Sequence, residues 1–206
     1  MVTSLFYKEL LKRHNELKKA FLPKQLSPTG NYSDLTYERV AAYILLIHAA
    51  LEYYFEQVAL SIAKDSMTKW NTEKKATKTV VALISYSPIK HSAIPETTND
   101  QRAVQDLDFR VKEAYTNYNN YIRSQNHGIK ETNILSIFLP IGLTIAEIDN
   151  NMLAELNSFG IDRGTIAHTT KARQQIPPED AETKIILIMS LVKNFDEMLC
   201  KNYCLQ

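Results

Sequence analysis

Apolar residues return every three or four positions along most of this chain, and that period predicts helices rather than strands. Leu5, Leu10, Leu11 and Leu17 open a first amphipathic helix, rich in Lys and Arg, that ends before Pro23. Ser33 is a fair N-cap for a second helix, because its hydroxyl can accept from backbone N–H groups in the first turn. From there Leu35, Val40, Tyr43, Ile44, Ile47, Leu51, Phe55, Val58 and Ile62 keep helical spacing over about seven turns. Lys69 to Ser85 reads as helix, although its Thr and Val residues also suit a strand. Pro88 and Pro95 bracket a loop, and Thr97 or Thr98 starts a helix with Val104, Leu107, Val111, Tyr115, Tyr118 and Ile122 on one face.

Asn126-His127-Gly128 then breaks the pattern as a turn. A short apolar segment, Ile134 to Leu139, precedes Pro140 and Gly142, and Thr144 is the expected cap of a helix that stops at Gly160. Glycine there suits the left-handed residue that commonly ends a helix. Asp162 is the expected cap of the next helix, which carries Arg163 and His168 and gives way before Pro177-Pro178. Proline at a helix start fits the last segment, whose stripe is Ile185, Ile188, Met189, Val192, Phe195, Leu199 and Tyr203. The expected architecture is an all-α bundle, a single domain over residues 1–206 without repeats or linkers.

Composition narrows the function less than the pattern narrows the fold. Hydrophobic residues make up 45% and charged residues 23%, ordinary for a globular domain, and the net charge is +1. A near-neutral chain does not advertise nucleic acid through a global basic field, so a coat or chromatin protein is disfavoured while a nuclease with a local site is not. The only cysteines, Cys200 and Cys204, lie one helical turn apart, with no further ligands to suggest zinc. With no leader-like N-terminus and no apolar run long enough for a membrane, the expectation is a cytoplasmic protein.

Most of the chemistry-bearing residues gather in Gly160–His168. Arg163 in a first helical turn stands where free N–H groups already favour an anion. Five residues of ideal helix advance about 7.5 Å and turn about 500°, so Arg163 and His168 do not share a face. They converge only if the arginine curls around the helix or a second subunit completes the site. The bland reading of the pair is a surface arginine and a satisfied histidine.

Elsewhere, Glu52 lies in an apolar run one turn after His48 and needs a partner if buried; Arg163 is the candidate, and a wet helix edge is the alternative. Lys74, Lys75 and Lys78, with Lys64 and Lys69, either track a phosphate backbone or form a plain solvated face. Tyr115, Tyr118 and Tyr121 are either a base-stacking row or core, and His127 is a further candidate near the site. P-loop, HExxH, CxxC and GxSxG signatures are missing, and no metal site is expected.

Two sets of residues carry a resemblance. The run from Arg39 through Ala49-Ala50-Leu51-Glu52 resembles the "arginine, aliphatic run, then Leu-Glu" helix of the HEPN superfamily. Asn126-His127-Gly128-Ile129-Lys130, Leu139-Pro140-Ile141-Gly142 and Leu156-Asn157-Ser158-Phe159-Gly160, followed by Arg163-Gly164 and Ala167-His168, are similar to its RiboL-PSP-HEPN branch, over roughly residues 33–200. The resemblance implies a helical bundle that dimerises and a metal-independent, cofactor-free endoribonuclease. Such proteins commonly serve as toxins or antiphage effectors, with an antitoxin or defence-system protein as partner. Arg163 and His168 fall on the motif's catalytic arginine and histidine. One position departs: the residue after the arginine is often polar in the superfamily and is Gly164 here. A HEPN-like module that binds RNA, a nucleotide or a protein without cutting is the alternative.

Overall fold

The computed structural model describes residues 2–87, 97–100, 106–167, 175–203 and 205. Among them the secondary structure is entirely helical: α1 (Leu5–Phe21), α2 (Asp34–Glu73), α3 (Lys78–Tyr86), α4 (Leu107–Ser124), α5 (Glu131–Phe138), α6 (Asn150–Ala167) and α7 (Pro178–Tyr203), with two 3-10 turns at Leu139–Ile141 and Ile145–Glu147. The all-α expectation is therefore met. The chain divides into two compact units. The first takes Met1–Gln57, His127–Ile134 and Ile148–Gln206, and the second takes Val58–Asn126 and Leu135–Glu147.

Side-chain caps explain where most helices begin. Ser33 accepts from the Thr36 amide at 3.3 Å, as expected of α2, and Thr77 and Asp106 cap α3 and α4 in the same way. The helix expected from Thr97 or Thr98 instead begins at Leu107. Asp106 supplies the acceptor there, while Thr97–Asp100 closes a turn and Val104 lies outside the described residues. Thr144 caps no long helix. Its amide and hydroxyl donate to Glu147 across a 3-10 turn, and α6 starts later, where Asp149 accepts from Asn151 and Met152. The stretch Lys69–Ser85 is two helices. Lys74 takes a left-handed conformation (φ +53°), uncommon for a residue other than glycine, and ends α2.

In the first unit α1 and α6 pack on α7, and the core is built from the stripes that the helical period picks out. Tyr43, Ile47, Leu51 and Phe55 of α2 are buried with Leu156 and Phe159 of α6 and Ile185, Ile188, Val192 and Leu199 of α7. A carboxylate lies inside it. Asp196, with no exposure at all, accepts from the Ser4 amide (2.8 Å), the Ser4 hydroxyl (2.5 Å) and the Tyr54 hydroxyl (2.8 Å). Ser4 is also the N-cap of α1, accepting from the Tyr7 amide. One carboxylate thus fastens α1 and α2 to α7. Burial and that carboxylate push the neighbouring Cys200 thiol up to about 11, so it is no thiolate nucleophile at neutral pH.

The second unit closes around Trp70, Val80 and Val111, with Met67 and Ile84 packed against them. Tyr118 is buried there and donates its hydroxyl to the Ile137 carbonyl at 2.7 Å. Gly142 ends the first 3-10 turn in the left-handed region (φ +99°), beside the Lys78 backbone, where a Cβ would meet both a strained conformation and α3.

Replacing Asp196 by Ala strands three buried donors at once, each costing roughly 1–3 kcal/mol when unpaired. The expected loss is about 3 kcal/mol or more in urea unfolding. Asp196→Asn, which keeps one acceptor oxygen, loses less.

Candidate functional site

Helix α6 is where the chemistry-bearing residues meet, and it does not stop at Gly160. The helix runs unbroken from Asn150 to Ala167 through both Gly160 and Gly164. Two expectations are corrected here. Gly160 is no left-handed stop, and Asp162 is no N-cap, because the preceding turn already supplies acceptors for the backbone of this segment. Asp162 instead spends its carboxylate on an ion pair with Lys184 of α7, at 2.5 Å, and Lys184 also donates to Ser158 at 2.8 Å.

What glycine does at position 160 is admit a neighbour. A Cβ built there would lie 2.9 Å from Cγ of Lys130, whose side chain crosses the helix at this point. Beside it, Asn157 accepts from the Glu131 amide at 2.9 Å and donates to the Glu131 carboxylate at 3.2 Å. The segment around His127-Gly128-Ile129-Lys130 is thereby tied along α6. His127 is exposed on it, in the same unit as Arg163.

Two i,i+4 ladders of α6 look at two different helices. Ser158 and Asp162 face Lys184 of α7. Phe159 stacks on the His48 ring of α2, with centroids 6.0 Å apart, and Arg163 follows one turn later, exposed. Arg163 is near enough to act on His48. Burial first, and then the Arg163 charge, hold the imidazole down to about 4, so it is neutral at physiological pH. Glu52 does not pair with Arg163 as expected. Its carboxylate lies 3.7 Å from Nδ1 of His48, too long for a hydrogen bond and, with a neutral ring, no ion pair at pH 7. The order on α2 and α6 is therefore Glu52, His48, Arg163, with the histidine in the middle. Asp162, Arg163, Glu52 and His127 all belong to the first unit. His168 lies outside the described residues, one position beyond the end of α6.

The candidate phosphate-binding lysines belong to the second unit and are largely committed. Lys74 reaches Asp108 at 2.7 Å and lies 5.7 Å over the Trp70 ring, while Trp70 itself donates to Asp108. Lys78 reaches Glu147 at 3.3 Å. Lys75 is exposed and forms no ion pair among the described residues. The tyrosine row resolves into separate roles, with Tyr118 in the core and Tyr121 only half-buried. Sequence reasoning gave His48 no role of its own and did not single out Lys130. The signal for the first was its place one turn before Glu52 in an apolar run. For the second it was membership of the Asn-His-Gly-Ile-Lys segment. Among the described residues no three His, Cys, Asp or Glu side chains converge as a metal's ligand set would. None of the helices there is long and apolar enough to cross a membrane.

The profile of the RiboL-PSP-HEPN family matches residues 8–201, nearly the whole chain. No curated protein and no solved structure matches it.

Two predictions follow from this geometry. A Cβ at position 164 meets nothing within 4 Å among the described residues, so Gly164→Ala is expected to raise stability by roughly 0.5–1 kcal/mol through helix propensity. Gly160→Ala is expected to gain less or to lose, and Lys130→Ala in the same chain should restore the gain, as thermal unfolding would reveal.

His48 governs the second. Its folded value of about 4 lies below the ordinary 6.5, so the unfolded chain binds more protons between those limits. Stability present above pH 6.5 is then lost as pH falls toward 4, by roughly 2–3 kcal/mol from this group at about 1.4 kcal/mol per unit. His14, buried beside Tyr43 and also held low by burial, adds a fall of the same sign. Urea midpoints at pH 7 and 4.5 should differ less in His48→Gln than in the natural chain.

Proposed function

Because the chain belongs to the RiboL-PSP-HEPN family, whose members have nuclease-like or RNA-related roles, we propose that it is a metal-independent endoribonuclease. The observation that carries the reading is the position of Arg163. It is exposed on α6, in the segment that resembles the family's Arg-x4-His motif, and backed by a buried neutral imidazole. Its guanidinium stabilises the charge that builds on a phosphate under attack, and its fork geometry suits two oxygens at once.

RNA carries its own nucleophile, the 2′-hydroxyl, so neither a metal nor a covalent enzyme intermediate is needed. His168 takes the proton from that hydroxyl or gives one to the leaving 5′-oxygen, as imidazole can do near neutral pH. The products are a 2′,3′-cyclic phosphate and a 5′-hydroxyl. His48 cannot stand in for His168, since at a pKa of about 4 it holds no proton to give at pH 7 and is only a weak base. It acts as packing beneath the arginine. Asp162, through Lys184, holds the register of α6 against α7, and Glu52 adds negative charge behind His48.

One histidine cannot be acid and base in the same step. A homodimer with its two-fold axis beside the motif supplies two arginines and two histidines around one phosphate. It also removes the difficulty that five residues of ideal helix would turn an arginine and a histidine to different sides. Lys75, His127 and, when released from their carboxylates, Lys74 and Lys78 are the secondary contacts to the strand. The biological setting is a toxin or antiphage effector in the cytoplasm, held in check by a partner protein.

A module that binds RNA without cutting it is the second reading, and Gly164 favours it. The space beside that residue holds no side chain among the described residues, where the superfamily often has a polar one. The same assay separates the two. Arg163→Ala and His168→Ala are each expected to slow cutting of total cellular RNA about 10²–10⁴-fold while leaving folding unchanged. Products should carry 5′-hydroxyls, and EDTA should have no effect. A 5′-phosphate end, or full loss of cutting in EDTA, would sink the mechanism. Intact RNA with all three proteins would leave the binding module.

A further inference from the structure

The second unit contains a cleft of about 610 Å³, within the range of about 300–1,000 Å³ typical of small-ligand sites. One face of α4 forms a wall. Ala114, Asn117, Tyr118, Tyr121 and Gln125 recur on it at helical spacing, opposite α3 and the 3-10 turn that carries Pro140. Tyr118 is fixed by its bond to the Ile137 carbonyl, so it is floor rather than contact. Tyr121 is half-buried, and Tyr86 is 58% exposed at the rim. The carboxamides of Asn117 and Gln125 make no hydrogen bond among the described residues. None of its described lining residues is charged.

That composition selects a ligand class. A phosphate would find no cation among the described lining residues, and an aliphatic chain would cover two carboxamides without satisfying them. A flat heteroaromatic ring fits both features. Its face stacks on tyrosine, and its edge meets amide groups that each carry donors and an acceptor. We propose that this cleft holds an unpaired base of the RNA strand, while the strand's phosphates are met elsewhere. The inference rests on RNA being the substrate, and it deepens that reading by adding a base-binding subsite that acts before any bond is cut.

The probe is a labelled 2′-O-methylated RNA decamer, which lacks the nucleophile and so binds the natural chain without being cut. A matching decamer carries abasic sites. Stacking one base contributes about 1–3 kcal/mol, or roughly 5–150-fold in affinity. Tyr86→Ala and Tyr121→Ala are each expected to weaken binding of the intact strand by 5-fold or more, with the slope of affinity against salt unchanged. Tyr121→Phe should bind normally. Asn117→Ala, an exposed change that leaves the fold alone, should weaken binding several-fold. The abasic strand should bind the natural chain weakly and lose nothing further in the variants. Undiminished binding of the intact strand by the variants, or an equal loss for the abasic one, overturns the subsite. If the natural chain still cuts RNA in that case, the ribonuclease reading stands without it. If the natural chain neither binds nor cuts RNA, both fall together.

Discussion

A carboxylate sealed from water is tolerable only when its lone pairs are filled, and Asp196 fills them from three directions. Ser4 donates twice from the start of α1, and Tyr54 donates from the middle of α2. The arrangement does more than satisfy a charge. It sets where α1 begins, because the same serine caps it, and it sets the depth at which α2 lies against α7. The tyrosine's own proton is held far more tightly than in water, first by burial and then by the carboxylate it serves. Apolar stripes alone would allow helices to slide along one another. One polar anchor makes the register unique, since any slip leaves buried donors unpaired.

Helix α6 inherits that register and divides its labour between neighbours. One ladder is clamped to α7 through Asp162 and Lys184, the other rests on α2 through Phe159 and His48. Arg163 emerges at the end of the second ladder with its charge turned to solvent and a neutral ring behind it. A neutral His48 matters for that placement, because a protonated imidazole would repel the guanidinium and expose its own buried charge. The low proton affinity of His48 and the exposed guanidinium are therefore two sides of one arrangement.

The near-neutral net charge is consistent with how the lysines are used. Lys74 and Lys78 lean on carboxylates and an aromatic ring, so they contribute to the second unit's cohesion before they contribute to any ligand. Exposed ion pairs of this kind are individually weak, which lets a phosphate displace the carboxylate at small cost. An uncharged cleft in the same unit leaves base recognition to stacking and amide contacts, which salt does not screen.

Much was legible in the chain itself. The 3.6-residue period found the long helices and the buried stripes of α2 and α7, because an apolar stripe is set by local spacing; it also counted Leu5, Leu11, Leu35 and Leu107, which are exposed. The short motif strings identified the family for the same reason, being contiguous. What failed was punctuation. Gly160 and Asp162 carry the signature of a helix end and a helix start, yet the helix passes through both. A partner from far along the chain, Lys184, claims the aspartate, and the side chain of Lys130 occupies the space the glycine leaves. Glu52 likewise does not pair with Arg163, and its carboxylate lies 3.7 Å from the neutral His48 ring on its own helix. Local sequence determined which segments are helical and which faces are apolar. Only the tertiary structure decided which polar residue meets which, because that depends on distances between elements far apart in sequence.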